Sequence, residues 1–180
     1  DATLSGSVSG SAVTASSASG ALTAGAITST SGAVDLDAST DVTLSGNITS
    51  ASALSIDTSG GDVTQDASTT IASGTTTTLN ATGDVALNGS VSATVVDVET
   101  TGGTLAVNDV TSTSGAIDLD ATGNVAIAGD VTSAGTLDVA SSAGTLTQAT
   151  GSTLLVLARQ QLHRVVMRRY LDLFLDQLLR

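Results

Sequence analysis

The chain has 180 residues and is 41% hydrophobic, yet it holds one Phe, one Tyr and no Trp or Cys, which excludes an aromatic-packed core, disulfides and thiolate metal sites. Its formal net charge of −12 is unevenly laid out: Arg159, Arg164, Arg168, Arg169 and Arg180 are the only Lys or Arg residues, so residues 1–158 carry 15 acids and none of these bases. Such a surface repels nucleic acid and anionic lipid, leaving cations, carbohydrate hydroxyls and other proteins as partners.

Taken in order, Thr3-Leu4-Ser5-Gly6-Ser7-Val8 already anticipates Thr43-Leu44-Ser45-Gly46-Asn47-Ile48, so the repeats begin at or before residue 3. The stretch 28–65 returns as 111–148 at an offset of 83, with 20 of its 38 positions identical. An intermediate copy at 79–87 halves that period. Halving again gives the physical unit. The pairs Val34/Leu36, Leu54/Ile56, Thr77/Leu79, Val96/Val98, Ile117/Leu119 and Leu137/Val139 recur every 19 to 23 residues, the spacing of a solenoid coil. Within a coil the apolar-x-apolar alternation predicts short strands with their aliphatics on one face, and only stacking of about seven coils completes a core. Residues 1–152 are therefore expected to form an all-β parallel β-helix.

Turns separate the strands. Gly46-Asn47, Gly83-Asp84, Gly89-Ser90, Gly123-Asn124 and Gly129-Asp130 each place before a strand a glycine free to adopt positive φ. The coil from Leu54 to about Thr76 is irregular, and its three extra residues predict a bulge in one turn. Thr75 to Thr78 is a run of threonines, and a water-ordering, ice-binding face is set aside because the threonines are read as out of register between coils.

At Ser152-Thr153 the composition changes, and Leu154 to Arg180 contains no Gly and one Ala. Ser152 or Thr153 reads as an N-cap, predicting an amphipathic α-helix over 153–180. Leu155, Ala158, Leu162, Val165 and Val166 share one face, expected to cap the last coil, while Tyr170, Leu171, Phe174, Leu175 and Leu178 fall on nearly the opposite one, expected to self-associate. No apolar run is long enough to span a membrane, and the opening residues lack a signal-peptide pattern, so the chain reads as a fragment of something longer.

The outward positions carry the candidate chemistry. On the first strand of successive coils they are Asp35 and Asp37, Ser55 and Asp57, Thr78 and Asn80, Asp97 and Glu99, Asp118 and Asp120, then Asp138 and Ala140. Asp35, Asp37, Asp97, Glu99, Asp118 and Asp120 form a candidate ladder of hard oxygen ligands for Ca²⁺, and no other cofactor is expected. The alternative is a solvated acidic face that keeps flat sheets apart. Paired carboxylates also serve glycosidases, but the coils lack a basic residue for a sugar acid and a long loop to wall a cleft, so no enzyme is expected. His163, the only histidine, has no partner for metal or triad chemistry.

Segments such as Ser31-Gly32-Ala33-Val34-Asp35-Leu36-Asp37-Ala38 and Thr82-Gly83-Asp84-Val85-Ala86-Leu87-Asn88-Gly89 resemble the repeat region of filamentous haemagglutinin-type adhesins, over residues 3 to about 152. The resemblance implies a right-handed β-helix in a noncatalytic, secreted or surface-displayed bacterial rod, meeting a host-surface protein or carbohydrate. It brings no catalytic residue. A glycan-processing β-helix enzyme fragment is the alternative.

Overall fold

The structure is a computed structural model that describes residues 1–157. Ala158, Leu162, Val165 and Val166 of the expected cap, the Tyr170–Leu178 face and His163 lie outside the described residues. Within them the chain is all strand and turn, wound as a parallel β-solenoid of about eight turns, one more than the spacing predicted. No helix of the described residues is long and apolar enough to cross a membrane.

Each turn lays one strand on each of three faces. The first face stacks β1 (Ala2–Leu4), β4 (Leu22–Ala24), β7 (Val42–Leu44), β10 (Val63–Gln65), β13 (Val85–Ala93), β15 (Leu105–Ser112), β17 (Val125–Ile127) and β20 (Leu146–Gln148). The second stacks β2 (Val8–Gly10), β5 (Ile27–Ser29), β8 (Ile48–Ser50), β11 (Thr70–Ser73), β18 (Val131–Ser133) and β21 (Leu154–Val156), and the far halves of β13 and β15 bend across the corner to join it, making one 14-stranded sheet. The third face is a separate seven-stranded sheet of β3 (Val13–Ser17), β6 (Val34–Ala38), β9 (Leu54–Thr58), β12 (Thr76–Ala81), β14 (Val95–Thr100), β16 (Ile117–Ala121) and β19 (Leu137–Ser141). Every pairing is parallel and joins one coil to the next.

Alternation along each strand decides what is inside. In β6 and β9 the first, third and fifth residues are buried and the others are half-exposed. The register then piles like on like. Leu36, Ile56, Leu79, Val98, Leu119 and Val139 form one buried column, each 2% exposed or less. Burying each such aliphatic contributes ~1.5–3 kcal/mol, and a core this narrow depends on nearly every position. The polar exceptions are bonded. Thr77 takes an aliphatic's place beneath Val96 and shares a 2.9 Å hydrogen bond with Ser73. At the corners Ser50 donates to the Ala53 carbonyl and Ser133 to the Thr136 carbonyl, both at 2.7 Å. These inward hydroxyls turn the chain while satisfying backbone that the corner leaves unpaired.

Four expectations need correction. The glycines at 46, 83, 89, 123 and 129 do not take positive φ; among the described residues only Gly151 does, at 94°. They are small because the coil below touches them: a Cβ on Gly46 would run into the backbone of Ala26, and one on Gly129 into Asn108. The irregular coil splits its three extra residues between two turns: the register offset rises from 20 residues (Val34 to Leu54) to 21 (Val42 to Val63) between β9 and β10, and to 23 (Ile48 to Ile71) across the turn Asp66–Thr69. Gln65 pins that turn by donating to the Thr69 carbonyl at 3.0 Å and to Ser90 of the next coil at 3.2 Å. Gln148, 83 residues on, repeats the device on the Ser152 carbonyl at 2.7 Å.

The threonines, third, are partly in register: Thr3, Thr23, Thr43 and Thr64 pair outward across four successive coils, before Ala86, Ala106 and Ala126 interrupt the row and Thr147 resumes it. Fourth, the chain does not enter a helix at Leu154. Leu154, Leu155 and Val156 form β21, paired with Val131, Thr132 and Ser133, so the solenoid extends past residue 152. The aliphatic run satisfies strand alternation as well as helical spacing, and the waiting edge of β18 decides between them.

Candidate functional site

Most acids of the solenoid fall into two sets with different jobs. One set stands in the turns, where each side chain reaches one coil along the stack. Asp41 accepts from the Asp62 amide at 2.9 Å, Asp62 from Asp84 at 2.7 Å, and Asp84 from Thr104 at 2.7 Å. Asp109 accepts from Asp130 at 2.9 Å, and Asn124 does the same for Thr145. An ionised acceptor roughly doubles the strength of such a bond. Sequence reading missed these staples. Their signal was present as Asp or Asn directly before an aliphatic strand residue at coil spacing.

The second set lies on the outer surface of the seven-stranded sheet. Strand alternation turns these side chains outward, and the register aligns them in two columns. Asp35, Ser55, Thr78, Asp97, Asp118 and Asp138 form one column. Asp37, Asp57, Asn80, Glu99, Asp120 and Ala140 form the other. Neighbours within a column are one strand spacing apart, ~4.8 Å.

The six residues expected as a continuous Ca²⁺ ladder fall into two groups, because β12 offers Thr78 and Asn80 and no acid. In the first group Asp35 and Asp37 are joined by Asp57, which the expected ligand set omitted; one carboxylate oxygen from each lies within 4.8 Å of the others. Asp57 is held in place by the Ser55 hydroxyl at 2.7 Å and the Asn80 amide at 2.7 Å. Burial, then the charges of Asp35 and Asp57, push the Asp37 carboxyl above its ordinary pKa. A shallow concavity beside Asp37 and Asp57 is lined by Ser16, Ser39 and Ser59. Three carboxylates could supply part of a Ca²⁺ shell of six to eight oxygens.

The second group is larger. Asp97, Glu99, Asp118, Asp120 and Asp138 stand side by side on β14, β16 and β19. Asp118, at the centre, is half-buried, and burial followed by the charges of Asp120, Asp138, Asp97 and Glu99 pushes its pKa up to about 6. Asp120 is raised by burial and by Asp138, Glu99 and Asp97. No Lys or Arg occurs among residues 1–157 to relieve this field.

The arrangement is thus an electronegative strip on the outer surface of the seven-stranded sheet. No family model, curated protein or solved structure matches the chain.

Proposed function

We propose that the chain is a noncatalytic structural segment of a secreted or surface-displayed bacterial adhesin, a rigid spacer whose side can also present a contact to a host protein or carbohydrate. The observation that carries this reading is the evenness of the stack. Coil follows coil in parallel register, and no connection between strands exceeds the five residues 149–153. Loops that short leave little with which to wall a deep cleft. The adhesin part rests on the likeness of the repeats to filamentous haemagglutinin-type rods. Its test is antibody raised against the coils and applied to the bacterium that encodes the chain: labelling of intact cells or medium supports it, and labelling only after lysis overturns it.

The enzyme alternative retains one feature, the concavity between Asp37 and Asp57. Hydrolysis of a polysaccharide that is lost in Asp37→Asn would favour it over the spacer.

Ca²⁺ binding is a separate proposal, and the Asp35–Asp37–Asp57 group favours it more than the rest of the expected ladder because its oxygens converge. Millimolar Ca²⁺ should then raise the melting temperature more than Mg²⁺ at equal ionic strength, and Asp37→Asn with Asp57→Asn should remove the excess. Equal effects of the two ions would sink the site.

A further inference from the structure

We propose that the arginine-bearing segment, residues 158–180, docks along the acidic face of its own solenoid, across the Asp97, Glu99, Asp118 and Asp120 carboxylates. Two independent observations support this occupant. The first is charge complementarity. Eight carboxylates stand on this one face, residues 1–157 contain no Lys or Arg, and all five arginines of the chain fall between 159 and 180. Of the eight, only Asp57 has a side-chain hydrogen-bond partner among the described residues. An arginine guanidinium is a suitable answer, since it stays charged at any working pH and meets a carboxylate with two parallel N–H donors.

The second observation is where the described chain ends. Val156 pairs with Ser133, and the Leu157 amide donates to the Ser133 carbonyl at 2.8 Å. In the coil below, the residues after Ser133 round the corner at 134–136 and enter β19, which carries Asp138. The chain therefore arrives at Leu157 on the corner that opens onto the acidic face, one level above Asp138, and Arg159 follows two residues later.

Reach is sufficient even at the short rise of a helix. The 23 residues from 158 to 180 cover ~35 Å even at the rise of a helix, while seven strands at ~4.8 Å spacing make a face ~30 Å long. This occupant differs from a cap on the last coil, which would bury aliphatics at the end of the stack and owe little to charge.

Trypsin gives a direct test, because it cuts only after Lys or Arg and every such residue of the chain lies in 159–180. The intact chain would be digested at low ionic strength and at roughly 0.5 M NaCl, where screening is nearly complete beyond a few ångströms. It would be compared with the face variant Asp97→Asn/Glu99→Gln/Asp118→Asn/Asp120→Asn and with the free peptide 158–180. The expected result is cleavage of the parent about tenfold slower than of the peptide at low salt, with salt or the face variant removing most of that protection while the melting transition of the solenoid persists. Three results would overturn the proposal: cleavage of the parent at the peptide's rate, protection that survives both salt and the face variant (a cap), or protection that grows with protein concentration (docking on a neighbouring copy).

Discussion

Asp130 accepts two hydrogen bonds from Thr153 of the next coil, from its amide at 2.7 Å and from its hydroxyl at 2.6 Å. Thr153 had the features of a helix N-cap, and here its hydroxyl serves a strand instead. Both bonds favour the ionised carboxyl and hold the pKa of Asp130 below its ordinary value. A lowered folded pKa means a contribution present above the unfolded value near 3.8 and lost as pH falls through the folded one. Asp130→Ala should therefore speed hydrogen exchange across Leu154–Val156 at neutral pH, whereas Asp130→Asn, which keeps an acceptor as Asn124 does, should change it little. Equal exchange in Asp130→Ala and the parent would show that the staple does not hold β21.

A like-charge face reverses the sign. Asp37, Asp118 and Asp120 have raised pKa values, so the folded chain binds more protons than the unfolded one between about pH 4 and about 6. Stability due to these groups should rise as pH falls from 7 through that window and fade as pH rises. Asp118→Asn with Asp120→Asn should raise the melting temperature at pH 7 and flatten its pH profile, and added NaCl should mimic part of the gain. A double variant that melts lower than the parent at pH 7 would mean the carboxylates are not repelling one another.

Gln65 is completely buried, and its Oε1 has no hydrogen-bond partner among the described residues while its Nε2 is bonded twice. Gln65→Glu removes both donations and buries a charge, which should destabilise by ~3 kcal/mol or more at pH 7. Gln148→Glu, at the exposed counterpart four coils away, should cost far less. Denaturant melts of the two variants make the comparison, and equal losses would contradict the burial of Gln65.

Leu119 sits in the middle of its column with no solvent exposure, between Val98 and Val139. Leu119→Ala should cost ~2–5 kcal/mol and Leu119→Asp at least as much, because a narrow core has no second layer of side chains to close over the gap. Melting of either variant at the parent's temperature would place Leu119 outside the core.

Much of this was legible in the sequence, for a physical reason. Inward positions of a solenoid tolerate little but aliphatics, so Leu36, Ile56, Leu79, Val98, Leu119 and Val139 announce both the coil and its register, and the outward acids follow by alternation. Serines inside the corners, such as Ser50 and Ser133, were hidden because a buried hydroxyl looks like a turn residue in sequence. Glycines had two explanations, positive φ and close approach of the coil below, and spacing alone cannot separate them. The break at β12 in the acidic columns was visible in Thr78 and Asn80, but the convergence of Asp57 on Asp35 and Asp37 needed the register. Leu154–Val156 misled because three aliphatics suit a strand or a helix, and the choice belongs to β18.

An even rod of stacked coils should tolerate more coils, and lengthening it is the most direct test. Residues 45–127 span one large period of 83 residues, and the steps Val42, Val63, Val85, Leu105 and Val125 show that it equals four coils. Inserting a second copy of 45–127 after residue 127 should give a soluble chain whose small-angle X-ray scattering shows a maximum dimension ~19 Å greater at unchanged cross-section. A longer chain that scatters with a thicker cross-section, or that unfolds, would contradict the stacking of the coils into a uniform spacer.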